Sequence, residues 1–216
     1  MIDGIRLKVC GLTTRADAEF AGQAGADYLG FNLHPASPRY LPLGNFHALA
    51  AHLPAGKNVA IAVEPTPEQL AELIAAGFAY FQLHFRHDLP AATVATWSRM
   101  VGVARLWLAP KLPPGIDVPP SLLALAESFL LDTFDPEIFG GTGRTGDWAK
   151  FARHQKSHPE KTWILSGGLN AENIAGALRQ SGARFVDVNS GIESAPGVKD
   201  HAKLKSFADH LRGWRV

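Results

Sequence analysis

The sequence predicts an α/β fold, a single-domain (β/α)8 TIM barrel, and three observations predict it. Short apolar runs rich in β-branched, aromatic and leucine residues alternate with helix-period segments along the whole chain, the pattern of βα units wound around a parallel sheet. About eight such units can be counted, the number that closes a barrel. The length of 216 residues lies near the lower end for that fold, so one barrel domain is assigned to residues 1–216 with little left over for another.

Taken in order, strands are predicted at Leu7–Cys10, Tyr28–Leu33, Val59–Val63, Tyr80–Leu83, Val103–Leu108, Phe129–Asp132, Trp163–Ser166 and Phe185–Val188, each short and apolar as buried parallel strands are. Thr14 begins a helix that ends near Gly25. Thr66-Pro67-Glu68-Gln69 places a threonine at the N-cap, proline in the first turn and glutamine at the third position, with Gly77 as the stop. Asn170-Ala171-Glu172-Asn173 opens another helix that stops near Gly182. Leu112-Pro113-Pro114-Gly115 and Pro119-Pro120 read as a stiff loop between the fifth strand and its helix.

Composition narrows the function classes. A net charge of +1 supplies no field for gripping nucleic acid or an anionic membrane. The five tryptophans are scattered without basic interleaving and read as packing residues. Cys10 is the single cysteine, which excludes an internal disulfide, argues against a cysteine-built zinc site and points to a reducing, cytoplasmic compartment. His154 and His158 could share a helix face, but with Lys156 between them and no carboxylate they read as an exposed surface, so no metal is expected. Neither a signal peptide nor a membrane span is expected.

Barrel enzymes carry their chemistry where strands end. The first strand ends in Lys8-Val9-Cys10-Gly11, where Cys10 is placed to act as nucleophile or base. Asp132 ends the sixth strand, across the mouth from the first, as an acid or as a capping aspartate. Gly167-Gly168 and Ser190-Gly191 follow the seventh and eighth strands, where barrels often hold a phosphate on backbone amides, although tight βα turns alone would also explain them. Gly141 to Gly146 matches G-x-G-x-x-G formally, but five units precede it and no strand adjoins it, so an anion-friendly loop over the mouth explains the glycines better than a dinucleotide fold. His84 either faces the pocket or is structural, and Asp187 is a pocket residue that orients or only supports.

In this order the motifs are specific. Lys8-Val9-Cys10-Gly11-Leu12-Thr13, Gly25 to Phe31 running into Ser37-Pro38-Arg39-Tyr40, Gln82-Leu83-His84, Leu130-Leu131-Asp132, Gly140-Gly141-Thr142-Gly143, Asp147-Trp148, Ser166 to Asn170, Val186-Asp187-Val188 and Pro196 to Asp200 make the chain resemble phosphoribosylanthranilate isomerase over nearly its whole length. The resemblance implies an Amadori rearrangement of N-(5′-phosphoribosyl)anthranilate, with no cofactor, in tryptophan biosynthesis. It implies Asp132 as general acid on the furanose ring oxygen and Cys10, available as thiolate, as the base that removes the C2′ proton. A raised Asp132 pKa follows as an expectation. Arg39 is implied as the partner of the anthranilate carboxylate, Gln82, His84 and Asp187 as further substrate contacts, and Gly141, Gly143, Gly168, Ser190 and Gly191 as phosphate binders. The implied partner is a phosphorylated small molecule, with monomer and homodimer both open. Phe85, Glu64, Asn189, Trp107, Arg144 and Gly146 depart from the family's usual residues and are expected to touch pocket walls and lid. The rival readings are an isomerase for a related phosphorylated aminoaldose and a non-catalytic phosphoribosyl-binding paralogue.

Overall fold

The computed structural model describes residues 1–134 and 146–214. Eight parallel strands close into a barrel in chain order: β1 Arg6–Val9, β2 Tyr28–Asn32, β3 Asn58–Val63, β4 Tyr80–Arg86, β5 Leu106–Lys111, β6 Ser128–Leu131, β7 Thr162–Leu165 and β8 Phe185–Val188. Between and after them lie α1 Arg15–Ala24, α2 Leu43–Ala50, α3 Pro67–Ala75, α4 Ala91–Val101, α5 Pro120–Leu123, α6 Trp148–Ser157, α7 Ile174–Ser181 and α8 His201–Arg212. After β8 a 3-10 turn, Ser190–Ile192, leads into a small antiparallel hairpin of β9 Glu193–Ala195 and β10 Val198–Lys199.

Local chemistry starts and stops these elements as the sequence predicts. Thr14 caps α1 through Asp17 N–H, and Gly25 ends it in the left-handed region at φ 107°. Thr66 and Gln69 form a full capping box that spans Pro67 in the first turn of α3. Several strand ends shift by a residue, β4 runs on from Leu83 to Arg86, and two element starts differ for a local reason. Val103–Arg105 is a turn after α4, with Arg105 and Leu106 N–H both bonded to Gly102 O, and β5 runs on through Pro110 to Lys111. That proline is tolerated because β5 pairs with β6 only at Trp107 and Leu108. Asn170–Asn173 is also a turn, not a helical start: Asn170 Oδ1 accepts from Glu172 and Asn173 N–H, while Asn173 Oδ1 accepts from Asn170 N–H.

Strand alternation sorts the apolar residues into two layers. Leu7, Val9, Leu29, Phe31, Phe81, Leu83 and Phe85 belong to the large core between sheet and helices. Val59, Trp107, Leu130, Ile164 and Phe185 fill the barrel interior with Tyr28 and Tyr80 packed against them. The lower end is closed by aromatic rings: Tyr28 lies edge-on to Trp107 at 4.9 Å and to Tyr80 at 5.3 Å, Trp107 edge-on to Phe185 at 5.5 Å, and Arg6 sits over the Phe185 ring. This plug confines the accessible part of the interior to the upper mouth. Trp107→Ala is expected to cost about 3–5 kcal/mol of stability, the usual range for truncating a buried tryptophan; urea unfolding measures it, and a loss below about 1 kcal/mol would remove the plug from the account of stability.

Candidate active site

The same alternation decides which side chains reach the mouth. On β4, Gln82 and His84 face the cavity while Leu83 and Phe85 face the helices; Leu130 with Asp132, and Asp187 with Asn189, follow the same parity on and just past β6 and β8. The cavity measures about 350 Å³. Cys10, Arg39, Gln82, His84, Asp132, Gly168, Asp187 and Ser190 all line it, so eight residues scattered from position 10 to position 190 converge on one site. Gly141 and Gly143 lie outside the described residues. Gly191 shapes the cavity from behind: a Cβ there would fall 2.0 Å from Leu169 O, so the loops after β7 and β8 meet through bare backbone. Asn173 Nδ2 donates to Gly168 O at 2.8 Å and holds the turn that presents Gly168.

Burial dominates the electrostatics. It pushes the Asp132 carboxyl up to about 6, against the Thr133 N–H that donates to Oδ1 at 2.7 Å, so this aspartate is largely protonated in mildly acidic solution. Burial, helped by Lys8, pushes His84 down to about 3 and keeps its ring neutral. Gln82 Nε2 donates to His84 Nε2 at 2.8 Å, which assigns the ring proton to Nδ1. Gln82 Oε1 then has no partner among the described residues. Burial and the nearby Asp187 carboxylate push the Cys10 thiol above its ordinary value, against Lys8 and Lys199. With no substrate bound, burial therefore favours the Cys10 thiol over the thiolate, and the cations around it work in the opposite direction.

Arg39 is buried and already engaged. Its Nε and Nη2 donate to the two oxygens of Glu193 at 2.9 and 2.7 Å, and Lys199 Nζ donates to Glu193 Oε1 and Asn189 Oδ1, both at 2.7 Å. Burial opposes the Glu193 charge, but Arg39 and Lys199 hold its carboxyl below the ordinary range. Two cations share one carboxylate, so this corner of the mouth keeps a positive surplus. The guanidinium's Nη1 bonds to nothing among the described residues and leaves its terminal edge for a ligand carboxylate. Sequence reasoning missed Glu193 and Lys199 as functional supports, and it noted Lys8 only as a neighbour. The available signal for Lys8 was a lysine two positions before Cys10 on an otherwise apolar strand.

The comparisons with known proteins bear directly on this site. The model of the N-(5′-phosphoribosyl)anthranilate isomerase family matches residues 7–210. The chain belongs to the N-(5′-phosphoribosyl)anthranilate isomerase family. The enzyme of that name from Cereibacter sphaeroides is 36% identical, covering 97% of this chain and 99% of the relative; that from Zymomonas mobilis is 34% identical, covering 96% and 98%. Among solved structures, the phosphoribosyl anthranilate isomerase of Thermus thermophilus superposes with a TM-score of 0.80 at 27% identity over 98% of this chain and all of the other. A family structure in complex with reduced 1-(o-carboxyphenylamino)-1-deoxyribulose 5-phosphate superposes at 0.74, with 28% identity over 97% of this chain and all of the other.

Within the N-(5′-phosphoribosyl)anthranilate isomerase family the departures in this chain sort by position. Phe85, expected at the pocket wall, instead packs its ring 5.7 Å from that of Trp97 in the helix layer, because it shares parity with Leu83 and not with His84. Trp107 belongs to the lower plug. Glu64 stands outside the lining, its Oε1 accepting from Arg86 N–H at 2.9 Å. Asn189 does line the cavity. Arg144 lies outside the described residues, and Gly146 sits where a Cβ would fall 3.1 Å from Ser166 O. His154 is corrected too: it is buried, with Nδ1–H donating to Lys150 O at 2.9 Å and Nε2 accepting from Val118 N–H at 3.1 Å, and so ties α6 to the loop after β5. The described residues contain no cluster of three metal-ligating side chains, and none of their helices is long and apolar enough to cross a membrane.

Proposed function

We propose that this chain isomerises N-(5′-phosphoribosyl)anthranilate to 1-(2-carboxyphenylamino)-1-deoxyribulose 5-phosphate in tryptophan biosynthesis, with Asp132 as the acid and Cys10 as the base. The observation that carries the reading is a carboxyl whose titration burial raises toward neutrality and a thiol, lining one 350 Å³ cavity beside a corner of surplus positive charge. Asp132 gives its proton to the furanose ring oxygen as the C1′–O bond breaks, and the anilino nitrogen's lone pair forms the iminium. Cys10 takes the C2′ proton, the C–H electron pair forms the C1′–C2′ double bond, and the iminium electrons return to nitrogen. The resulting enolamine tautomerises to the ketone. An iminium neighbour makes the C2′ proton acidic enough for side-chain acid–base chemistry.

Arg39 would take the anthranilate carboxylate on its terminal edge, and Gly168, Ser190 and Gly191, together with Gly141 and Gly143, would take the phosphate. The unpartnered Gln82 Oε1 and the His84 ring are the acceptor and donor available to sugar hydroxyls. Asp187 supports Lys8 across the floor of the site. The partner is thus a doubly anionic small molecule, met in the cytoplasm by a single barrel domain, as monomer or homodimer.

Mixing the protein with substrate generated from anthranilate and phosphoribosyl pyrophosphate by a phosphoribosyltransferase tests the proposal through loss of the substrate's fluorescence. A signal that persists with folded protein present contradicts it. Arg39→Lys is expected to lower kcat/KM roughly 10- to 150-fold, mostly through KM, because an ammonium cannot serve Glu193 and a substrate carboxylate with one planar fork and a charged hydrogen bond contributes about 1.5–3 kcal/mol. Steady-state kinetics separates that result from a loss in kcat alone.

A further inference from the structure

Lys8 is a buried ionic group that the proposed chemistry leaves unused. It stands two residues before Cys10 on β1, hence on the same face, and its register partner on β8 is Asp187. Its side chain is fully enclosed, with Nζ 2.8 Å from Asp187 Oδ1. Space for it is made on β2, where a Cβ on Gly30 would fall 2.9 Å from Lys8 Cε and 3.0 Å from Nζ. Any other residue at position 30 would place its side chain where the ammonium lies. An ion pair sealed in a barrel floor carries a desolvation penalty that an apolar pair of similar volume avoids, so its presence directly beneath a reactive thiol calls for a role beyond packing.

We propose that Lys8 is a positioning residue for the isomerisation: its ammonium, shared by Asp187 and the Cys10 sulfur, stabilises the thiolate that removes the C2′ proton, and Asp187 sets how much of that charge the sulfur feels. The inference rests on the base role of Cys10. The charged groups that face the sulfur are Lys8 from β1, Asp187 from β8, Lys199 from β10 and Arg39 from the loop after β2, with Asp132 on the cavity wall beyond β6. Lys199 and Arg39 are coupled to the sulfur too but share their ion pair with Glu193, whereas the Lys8 charge is divided between Asp187 and the sulfur. The balance within the Lys8–Asp187 pair therefore tunes the base.

The test is the pH dependence of Cys10 alkylation by iodoacetamide in the full chain without substrate, which is unambiguous because Cys10 is the single cysteine. Lys8→Met, an unbranched apolar replacement, is expected to move the alkylation midpoint up by about one pH unit or more, and Asp187→Asn to move it down, since an opposite charge within a few ångströms typically shifts a titration by 1–3 units. Plateau kcat/KM of Lys8→Met should fall about tenfold for each unit of that upward shift, with KM little changed. The double variant Lys8→Met/Asp187→Asn, neutral at both positions, removes the risk that an unpaired buried carboxylate unfolds the protein, and its midpoint should lie above that of Asp187→Asn alone. A purely structural pair would change thermal stability and leave every midpoint on the wild-type value, which overturns the inference; so does a downward shift in Lys8→Met. Failure of the base role reads separately, as turnover retained by Cys10→Ala, and the alkylation midpoints do not depend on it.

Discussion

Asp132→Asn removes most turnover and stabilises the folded chain in neutral and alkaline solution. The amide cannot give a proton to the ring oxygen, so kcat/KM is expected to fall by about 10²–10⁴, the usual contribution of a positioned acid. The stability change follows from the folded-state pKa, raised from 3.8 to about 6. A carboxyl raised in this direction contributes fully below its unfolded value and loses that contribution as pH rises through about 6, because the folded site then has to hold a desolvated anion. Above pH 7 the cost is about 2 kcal/mol after discounting for partial exposure. Asp132→Asn, which keeps an oxygen to accept from Thr133 N–H, should therefore be about 2 kcal/mol more stable than wild type at pH 8 and no more stable at pH 4. Urea unfolding at the two pH values measures it. Equal stability at pH 8 would show that Asp132 is not held in a neutral-preferring site.

Cys10→Ala is the second large effect. Loss of the base should lower kcat by about 10²–10⁴ while substrate and product-analogue affinity change little, since the sulfur contributes no charge to the resting site. The resting state also dictates the shape of the pH profile. With Asp132 near 6 and Cys10 above its ordinary value, the productive form pairs a protonated aspartate with an ionised thiol, the reverse of the populated arrangement. Its fraction is constant between the two titrations and falls on both sides. The acid limb of kcat/KM near pH 6 thus belongs to the general acid, and the alkaline limb to the general base.

Much of this was legible in the residues. The barrel could be read from alternating apolar runs, and Thr66-Pro67-Glu68-Gln69 announced its capping box because a cap is a local interaction between neighbours. β5 was misplaced because Val103 looks like a strand residue, whereas Gly102, in the left-handed region at φ 87°, ends α4 and turns the chain there. Cys10 and Asp132 were readable from their places at strand tips, whereas Arg39, in the loop after β2, was readable only through the family resemblance. The wall role expected for Phe85 failed on parity: one residue's difference along β4 turned its side chain from the mouth to Trp97. Glu193 and Lys199 were not readable, since their work depends on a hairpin folding back onto Arg39 across 154 residues of chain, a contact that no local pattern encodes. His154 looked like a surface residue for the same reason, its partner Val118 lying 36 residues away.

The pH profile of kcat/KM, measured beside an independent titration of the Cys10 thiolate by its ultraviolet absorbance, tests the central claim most directly. The account predicts a plateau that begins near pH 6 and ends where the thiol ionises. A thiol that ionises on the acid limb, with the alkaline limb falling elsewhere, would contradict it.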